Sequence, residues 1–285
     1  MNEIIYFLIL LIGFCSSLVG SLLGAGGGFL NVPFFIFIGY SEYSTTISLF
    51  AVAINGITAS IFNIKKKLVD FKISVIYIPS AIIGGILGAY IFNLFKFIDI
   101  NIFKLIFTIF LVILGIKVFI KEETELDQIK IIKIEELNRK FILFGILIGL
   151  ITGFFGSFLG IGGGLFSIPA SIFIFNVSTH VAIATSLFLM VFTAISGLIT
   201  HSLQGYLPDF AIFFGIFLAI GAVFGANIGS RLAYRLKGKK IRKIYGIIMV
   251  GVAIPLTWLR VFIPINDPIQ IIMKELINFF SNFSI

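Results

Sequence analysis

Charge is scarce in this chain. Asp, Glu, Lys and Arg together make up 12% of the 285 residues, about half the share found in an ordinary soluble domain. None of the 13 acidic residues lies in the middle of an apolar segment, where a cation pump or a carboxylate proton relay would need one. The single cysteine, Cys15, excludes an intramolecular disulfide framework and a metal site built from cysteines. Since only two histidines and scattered serines remain as candidates, the sequence predicts neither an enzyme nor a cofactor.

Apolar residues are abundant instead. The chain is 59% hydrophobic with 35 phenylalanines, and its mean hydropathy is +1.15. Because about 20 apolar residues cross a bilayer as a helix, the sequence predicts an all-α polytopic membrane protein. Eight segments are long enough to span, at residues 4–19, 47–64, 73–95, 102–120, 141–160, 181–203, 210–232 and 244–262. Two further apolar segments, residues 29–40 and 165–177, are half as long and predict half-helices.

The two half-length segments each follow a glycine motif. GSLLGAGGGFLNVP occupies residues 20–33, and GSFLGIGGGLFSIP occupies residues 156–169, 136 positions later. The likeness continues beyond the motifs, since the SLF triplet at residues 48–50 recurs at residues 186–188. We interpret the chain as a tandem duplication. The predicted units are a first transmembrane repeat at residues 1–120, a charged cytoplasmic linker at 121–140, a second repeat at 141–262 and a C-terminal tail at 263–285.

The basic residues predict the orientation of the repeats. Three loops, at residues 65–72, 121–140 and 231–243, hold 16 of the 21 Lys and Arg residues, and the positive-inside rule places such loops in the cytoplasm. The net charge of +8 is therefore interpreted as a topology signal and not as a nucleic-acid surface. With these loops inside, the halves run in opposite directions. Each half then needs four full spans plus one half-helix that turns the chain back in a hairpin at the glycine motif, and both termini lie outside.

The glycine motif also predicts a binding site. Glycine reaches positive φ at low cost, so each motif can form a tight turn, after which Asn31 or Ser167 would cap a new helix with Pro33 or Pro169 in its first turn. A helix start carries partial positive charge and free N–H donors, which suit an anion. Inverted repeats with broken helices near the membrane centre are typical of secondary transporters. A dinucleotide-binding role is excluded, because no strand is predicted before either motif.

Other interpretations stay open at this point for the remaining glycines in the spans and for one histidine. Glycines in membrane helices often serve only close packing, which is our interpretation of Gly84, Gly85, Gly88, Gly221, Gly225 and Gly229. His201, predicted at the outer end of its span, is a candidate for a proton-linked or mouth-lining role, with a simple interfacial position as the alternative. The predicted substrate-binding residues are Gly24, Gly26, Gly27, Gly28, Asn31, Asn55, Gly160, Gly162, Gly163, Gly164, Ser167, Ser186 and Thr193.

The doubled motif, together with ATSLF at residues 184–188 and HSLQGYLPDF at residues 201–210, resembles the signature of the TauE/SafE family, also called the toluene sulfonate uptake permeases. The resemblance implies transport of sulfur-containing anions such as sulfite, sulfoacetate or sulfonates, or of small organic acids, across the prokaryotic plasma membrane. The expected partners are a small anion and the lipid bilayer, and a homo-oligomer stays open. A passive anion channel and a non-transporting assembly factor are the alternatives.

Overall fold

A computed structural model of the protein describes residues 2–40, 42–94, 112–113, 115–116, 118–120 and 139–261. The described residues contain no strand, and those of the three short ranges are helical. The described residues form nine longer helices, which are α1 (Asn2–Leu23), α2 (Gly28–Phe37), α3 (Ser44–Lys65), α4 (Phe71–Leu94), α5 (Arg139–Phe158), α6 (Gly164–Phe173), α7 (Thr179–Leu203), α8 (Asp209–Arg235) and α9 (Gly238–Val261).

Six of these helices, α1, α3, α4, α5, α7 and α8, are long and apolar enough to cross a membrane. They coincide with six of the eight predicted spans, and the chain is a multi-pass membrane protein. The predicted span at 244–262 falls on α9, which ends at Val261. Most of the span predicted at 102–120, nearly all of the linker and the whole tail lie outside the described residues.

The two half-length segments form short apolar helices of ten residues each, α2 and α6, as predicted. At a rise of 1.5 Å per residue, such a helix is about 15 Å long, or half the thickness of the hydrocarbon core. Each is preceded by its glycine turn. The number of crossings in each half and their inverted orientation stay predictions.

The two sequence repeats pack into one another. The most extensive interfaces between described helices join α1 of the first half to α8 of the second, and α5 of the second half to α4 of the first. Helices α3 and α7 pack together between these pairs, and α3 also contacts α8 as α7 contacts α4. Every one of these contacts between the halves is matched by its counterpart with the two halves exchanged.

Small residues allow these pairs to approach closely. A Cβ added to Gly221 would lie 2.1 Å from the carbonyl oxygen of Leu10, and one added to Gly84 would lie 2.2 Å from that of Leu150. Lipid tails are as apolar as the helices, so association in a membrane depends on such close packing. Similar contacts below 2.5 Å occur at Gly85, Gly88, Gly225 and Gly229. The packing interpretation of these six glycines is confirmed.

Candidate substrate site at the two glycine turns

Each glycine motif forms the same backbone turn. In the first turn Gly24, Gly26 and Gly27 have φ of 75°, 77° and 83°. In the second, Gly160, Gly162 and Gly163 have φ of 70°, 81° and 83°. Residues with a Cβ rarely adopt this left-handed region. The repeat of three positive φ values at equivalent positions explains why glycine occupies these positions in both motifs.

The half-helices begin earlier than the sequence predicts. Helix α2 begins at Gly28 with Gly27 as its N-cap, and α6 begins at Gly164 with Gly163 as its N-cap. The prediction that Asn31 caps α2 is therefore wrong. The left-handed glycine completes the turn by itself, and its carbonyl accepts the N–H groups of the third and fourth helical residues at 3.0 and 3.2 Å in α2.

The same correction applies to Ser167, which is the fourth residue of α6 and not its cap. Pro33 and Pro169 consequently lie in the second turn of their helices, not in the first. The first N–H groups of a helix have no partner within that helix. The N–H groups of Gly28 and Phe29, and those of Gly164 and Leu165, are thus the donors that α2 and α6 leave unsatisfied.

The two turns lie directly against each other. A Cβ added to Gly28 would lie 2.3 Å from the carbonyl oxygen of Gly160, and one added to Gly164 would lie 2.2 Å from that of Gly24. Each turn therefore presents a carbonyl oxygen to the start of the other half-helix. All residues of both turns, from Gly24 to Gly28 and from Gly160 to Gly164, are buried.

Hydroxyl groups from the central helices hold this arrangement. Ser186 of α7 donates a hydrogen bond of 2.7 Å to the Gly24 carbonyl. Ser48 of α3 donates one of the same length to the Gly160 carbonyl. Helices α3 and α7 therefore each hold the glycine turn of the opposite half by a hydrogen bond. Ser167 adds a hydrogen bond of 2.9 Å to the Ser186 hydroxyl.

Two other predicted site residues bind the turn of their own half. Asn55 donates from Nδ2 to the Gly26 carbonyl at 3.0 Å, and its Oδ1 accepts the hydroxyl of Ser21. Thr193 donates to the Gly162 carbonyl at 3.0 Å. Both side chains are fully buried. Their hydrogen-bonding groups are occupied by the protein itself, so in this structure they position the turns and offer no free donor.

Asn31 differs from the other predicted polar residues. It is fully buried, and neither Nδ2 nor Oδ1 has a hydrogen-bond partner among the described residues. An unpaired buried amide costs about 1–3 kcal/mol. The residue lies one turn into α2, beside the donors that this helix leaves unsatisfied.

His201 is not part of the glycine-turn cluster. It is fully buried, which excludes an exposed position at a mouth or interface in this structure. Its Nε2 lies 3.3 Å from the carbonyl oxygen of Ser157, its ring packs against Phe92 and Tyr206, and its Nδ1 has no partner among the described residues. A proton-linked role stays a prediction.

A sequence profile of the family described as sulfite exporter TauE/SafE matches residues 9–256. The chain belongs to the TauE/SafE family. The resemblance drawn from the doubled glycine motif is thereby confirmed. The match spans both glycine turns and every residue of the candidate site.

Curated relatives carry transporter names. The TauE/SafE chain is 34% identical over 211 residues to the "Probable membrane transporter protein MJ0441" of Methanocaldococcus jannaschii, an alignment that covers 70% of this chain and 74% of the relative. It is 26% identical over 227 residues to the "Probable membrane transporter protein YunE" of Bacillus subtilis, covering 70% and 80%. No solved structure shows significant similarity to this TauE/SafE protein. The family and these names identify a membrane transporter.

Three residues that contact the glycine turns of this TauE/SafE protein are not among the predicted substrate-binding residues. Val52 and Met190 are buried between the turns, since a Cβ on Gly26 would lie 1.8 Å from Met190 Cε and one on Gly162 would lie 2.3 Å from Val52 Cγ1. Apolar side chains in an apolar span carry no sequence signal. Ser48 is the third, and its alignment with Ser186 in the repeat is the sequence signal for its position at the turns.

Proposed function

We propose that this protein is a secondary transporter of small anions, either sulfur-containing ones such as sulfite, sulfoacetate and sulfonates or small organic acids. In this proposal the starts of α2 and α6 bind the anion, and the two halves rock around it in alternating access. The membership in a transporter family supports the transport part. The absence of acidic residues from the apolar spans supports an anionic substrate, because a carboxylate there would repel it.

The observation that carries the proposal is the set of unsatisfied donors at one buried place. The first two N–H groups of each half-helix have no partner within their helices, and the Asn31 amide has none among the described residues. N–H groups and the helix dipole make a helix start favourable for an anion. Two such starts in contact would share one small anion between the halves.

In this proposal the observed arrangement of the two turns is a closed state. The carbonyl of Gly160 lies against the start of α2, and that of Gly24 lies against the start of α6. In the proposed cycle a separation of the two turns replaces each carbonyl by an oxygen of the anion. The exchange of hydrogen bonds between halves, from Ser48 to one turn and from Ser186 to the other, supports a two-fold relation of the kind that alternating access uses.

Transport into vesicles tests the proposal. The full chain is reconstituted in proteoliposomes, and uptake of labelled sulfite, sulfoacetate and a taurine-derived sulfonate is measured against concentration. We expect saturable uptake of at least one of them. Failure of all three to be transported or to shift the unfolding temperature would contradict a sulfur-containing anion as the substrate. Flux that never saturates would assign a passive channel instead.

Asn31→Leu links the transport to the site. The substitution replaces an unpaired buried amide with an apolar side chain of similar size, so we expect the free energy of unfolding to stay equal or to rise. Uptake should fall about tenfold or more, since a hydrogen bond to a charged ligand contributes about 1.5–3 kcal/mol.

The matched control is Asn63→Leu. Asn63 is 4% exposed and its Nδ2 also has no partner among the described residues, but it lies two turns beyond Asn55 on α3, roughly 12 Å along the axis. This variant should transport like the wild type. If Asn31→Leu transports equally well, the amide does not contact the substrate.

A further inference from the structure

A buried arginine lies at the start of α7. Arg242, in the first turns of α9, is 4% exposed, and its Nη1 donates a hydrogen bond of 3.1 Å to the hydroxyl oxygen of Thr179. Thr179 is the first residue of α7. This is the guanidinium's one hydrogen bond to the described residues, it involves no carboxylate, and Nε has no partner among them.

The start of α7 has further unsatisfied donors. Its N-cap is Ser178, whose extended backbone precedes the helix but whose side chain makes no capping hydrogen bond. The Ser178 hydroxyl is 2% exposed and has no partner among the described residues. The N–H groups of the first residues of α7 also have no partner within the helix. Among the described residues, a cation, a hydroxyl and a helix start therefore converge without an acceptor of opposite charge.

Without an anion, this arrangement of a buried charge and unpaired donors is electrostatically unfavourable. A buried charge without a counter-charge carries a desolvation penalty of several kcal/mol, and unpaired buried donors add to it. Anions relieve both penalties, because arginine and a helix start both donate hydrogen bonds to oxyanions. The other charged residues next to Arg242 in the chain have the same sign, since Lys237, just before α9, and Lys239, Lys240 and Lys243, within it, are exposed.

We propose that Arg242, Ser178 and the start of α7 form a second oxyanion site, separate from the glycine turns. Its ligand is a sulfate-like or phosphate-like group with oxygens for the guanidinium, the Ser178 hydroxyl and the first N–H groups of α7. Such a group is present both in a free anion and in the phosphate of a lipid headgroup. Thr179 lies seven residues before Ser186, roughly 10 Å along α7, so one small anion cannot occupy both places.

The new site is connected to the glycine turns through α9. Tyr245 lies three residues after Arg242, on the same face of the helix, and donates a hydrogen bond of 2.9 Å to the carbonyl oxygen of Leu165. Leu165 belongs to the first turn of α6. An anion bound to Arg242 would therefore contact α9, whose Tyr245 is also hydrogen-bonded to the first turn of α6.

Binding of sulfate to the purified full chain tests the proposal. Affinity is measured by isothermal titration calorimetry in a neutral detergent, with sodium chloride at equal ionic strength as the reference. Arg242→Gln should weaken sulfate binding about 10- to 100-fold, the loss expected for a hydrogen bond to a charged group. Lys243→Gln removes the same charge from the exposed next position and should change the affinity less than threefold. Arg242→Lys, which keeps the charge, should bind with intermediate affinity.

A second arm distinguishes the source of the group. The variants are placed in nanodiscs with phosphatidylcholine alone or with added phosphatidylglycerol, and retained lipids are counted by native mass spectrometry. Loss of phosphatidylglycerol from Arg242→Gln but not from Lys243→Gln assigns a lipid phosphate, whereas loss of sulfate binding alone assigns a free anion. Both outcomes support the site. The test measures binding only, so its result is independent of whether the glycine turns transport.

Unfolding in the absence of sulfate tests for a purely structural role. Because Arg242→Gln removes an unpaired buried charge, the unfolding temperature in chloride should stay equal or rise. The proposal is overturned if the variant binds sulfate and phosphatidylglycerol as Lys243→Gln does, or if it unfolds at a lower temperature with no change in either affinity. In those cases the guanidinium serves to hold the Thr179 hydroxyl.

Discussion

Gly28→Ala tests the contact between the two glycine turns. The added Cβ would lie 2.3 Å from the carbonyl oxygen of Gly160, whereas ordinary contact begins at 3.4 Å. The atom it meets belongs to the backbone, which cannot rotate away as a flexible side chain can. The two turns must therefore separate by about 1 Å, the difference between these distances. Gly28 itself has ordinary helical φ, so backbone strain does not contribute.

The magnitude follows from two effects. Overpacking of a close-packed interior costs about 1–3 kcal/mol. The same shift stretches the 2.7 Å hydrogen bond from Ser48 to the Gly160 carbonyl beyond hydrogen-bond distance, which removes about 1 kcal/mol more. We expect the free energy of unfolding to fall by about 2–4 kcal/mol. Saturable uptake should fall as well, because the two helix starts no longer meet.

Thermal and chemical unfolding, followed by circular dichroism, measure the loss of stability, and proteoliposome uptake measures function. Gly251→Ala is the matched control, since Gly251 is also helical and no atom of the described residues lies within 4 Å of a Cβ placed there. Alanine exceeds glycine in helix propensity by about 1 kcal/mol, so this variant should be equally stable or more stable. If Gly28→Ala unfolds within about 0.5 kcal/mol of the wild type, the turns do not pack as described and the reasoning is refuted.

Three further substitutions test other contacts in the structure, and chemical denaturation measures the effect of each on the free energy of unfolding. Asn55→Ala leaves the buried Gly26 carbonyl without its 3.0 Å donor and should lower the free energy of unfolding by about 2–4 kcal/mol; a loss below about 1 kcal/mol would show that water replaces the amide. Ser230→Ala removes only a hydrogen bond to the carbonyl one turn back on its own helix, and a change above about 0.5 kcal/mol would be unexpected. Gly205→Ala places a Cβ at φ 82°, where no atom of the described residues lies within 4 Å, and should cost only the strain of about 1 kcal/mol, with uptake unchanged.

Much of the fold could be predicted from composition and repetition. Six of the predicted spans are present because a helix that crosses a bilayer needs a continuous apolar run of fixed length. The two half-helices are present for the same reason, since their runs are half as long. The repeat alignment matches Ser48 with Ser186. In the structure each of these hydroxyls donates a hydrogen bond to a carbonyl in the glycine turn of the other half.

The prediction of the helix starts was wrong for a local reason. Asn31 and Ser167 are favoured capping residues, but glycines at positive φ cap the helices four residues earlier, at Gly27 and Gly163. Side-chain propensity is a weak prior when the backbone already closes the turn. That correction moves the free N–H donors from Asn31 and Ser167 to Gly28 and Gly164.

The amino-acid sequence alone is enough to predict that the chain spans a membrane, that it is duplicated and that each half contains a tight glycine turn, because these properties depend on apolar length, identity at a fixed offset and the missing Cβ of glycine. The three-dimensional packing was needed to learn which helices pair, that Val52 and Met190 contact both turns, and that Asn31 and Arg242 are buried with atoms that have no partner among the described residues. Lipid and protein are both apolar, so periodicity does not distinguish a helix's partner from lipid. Hydrogen-bond partners depend on distances between residues far apart in the chain, which the sequence does not specify.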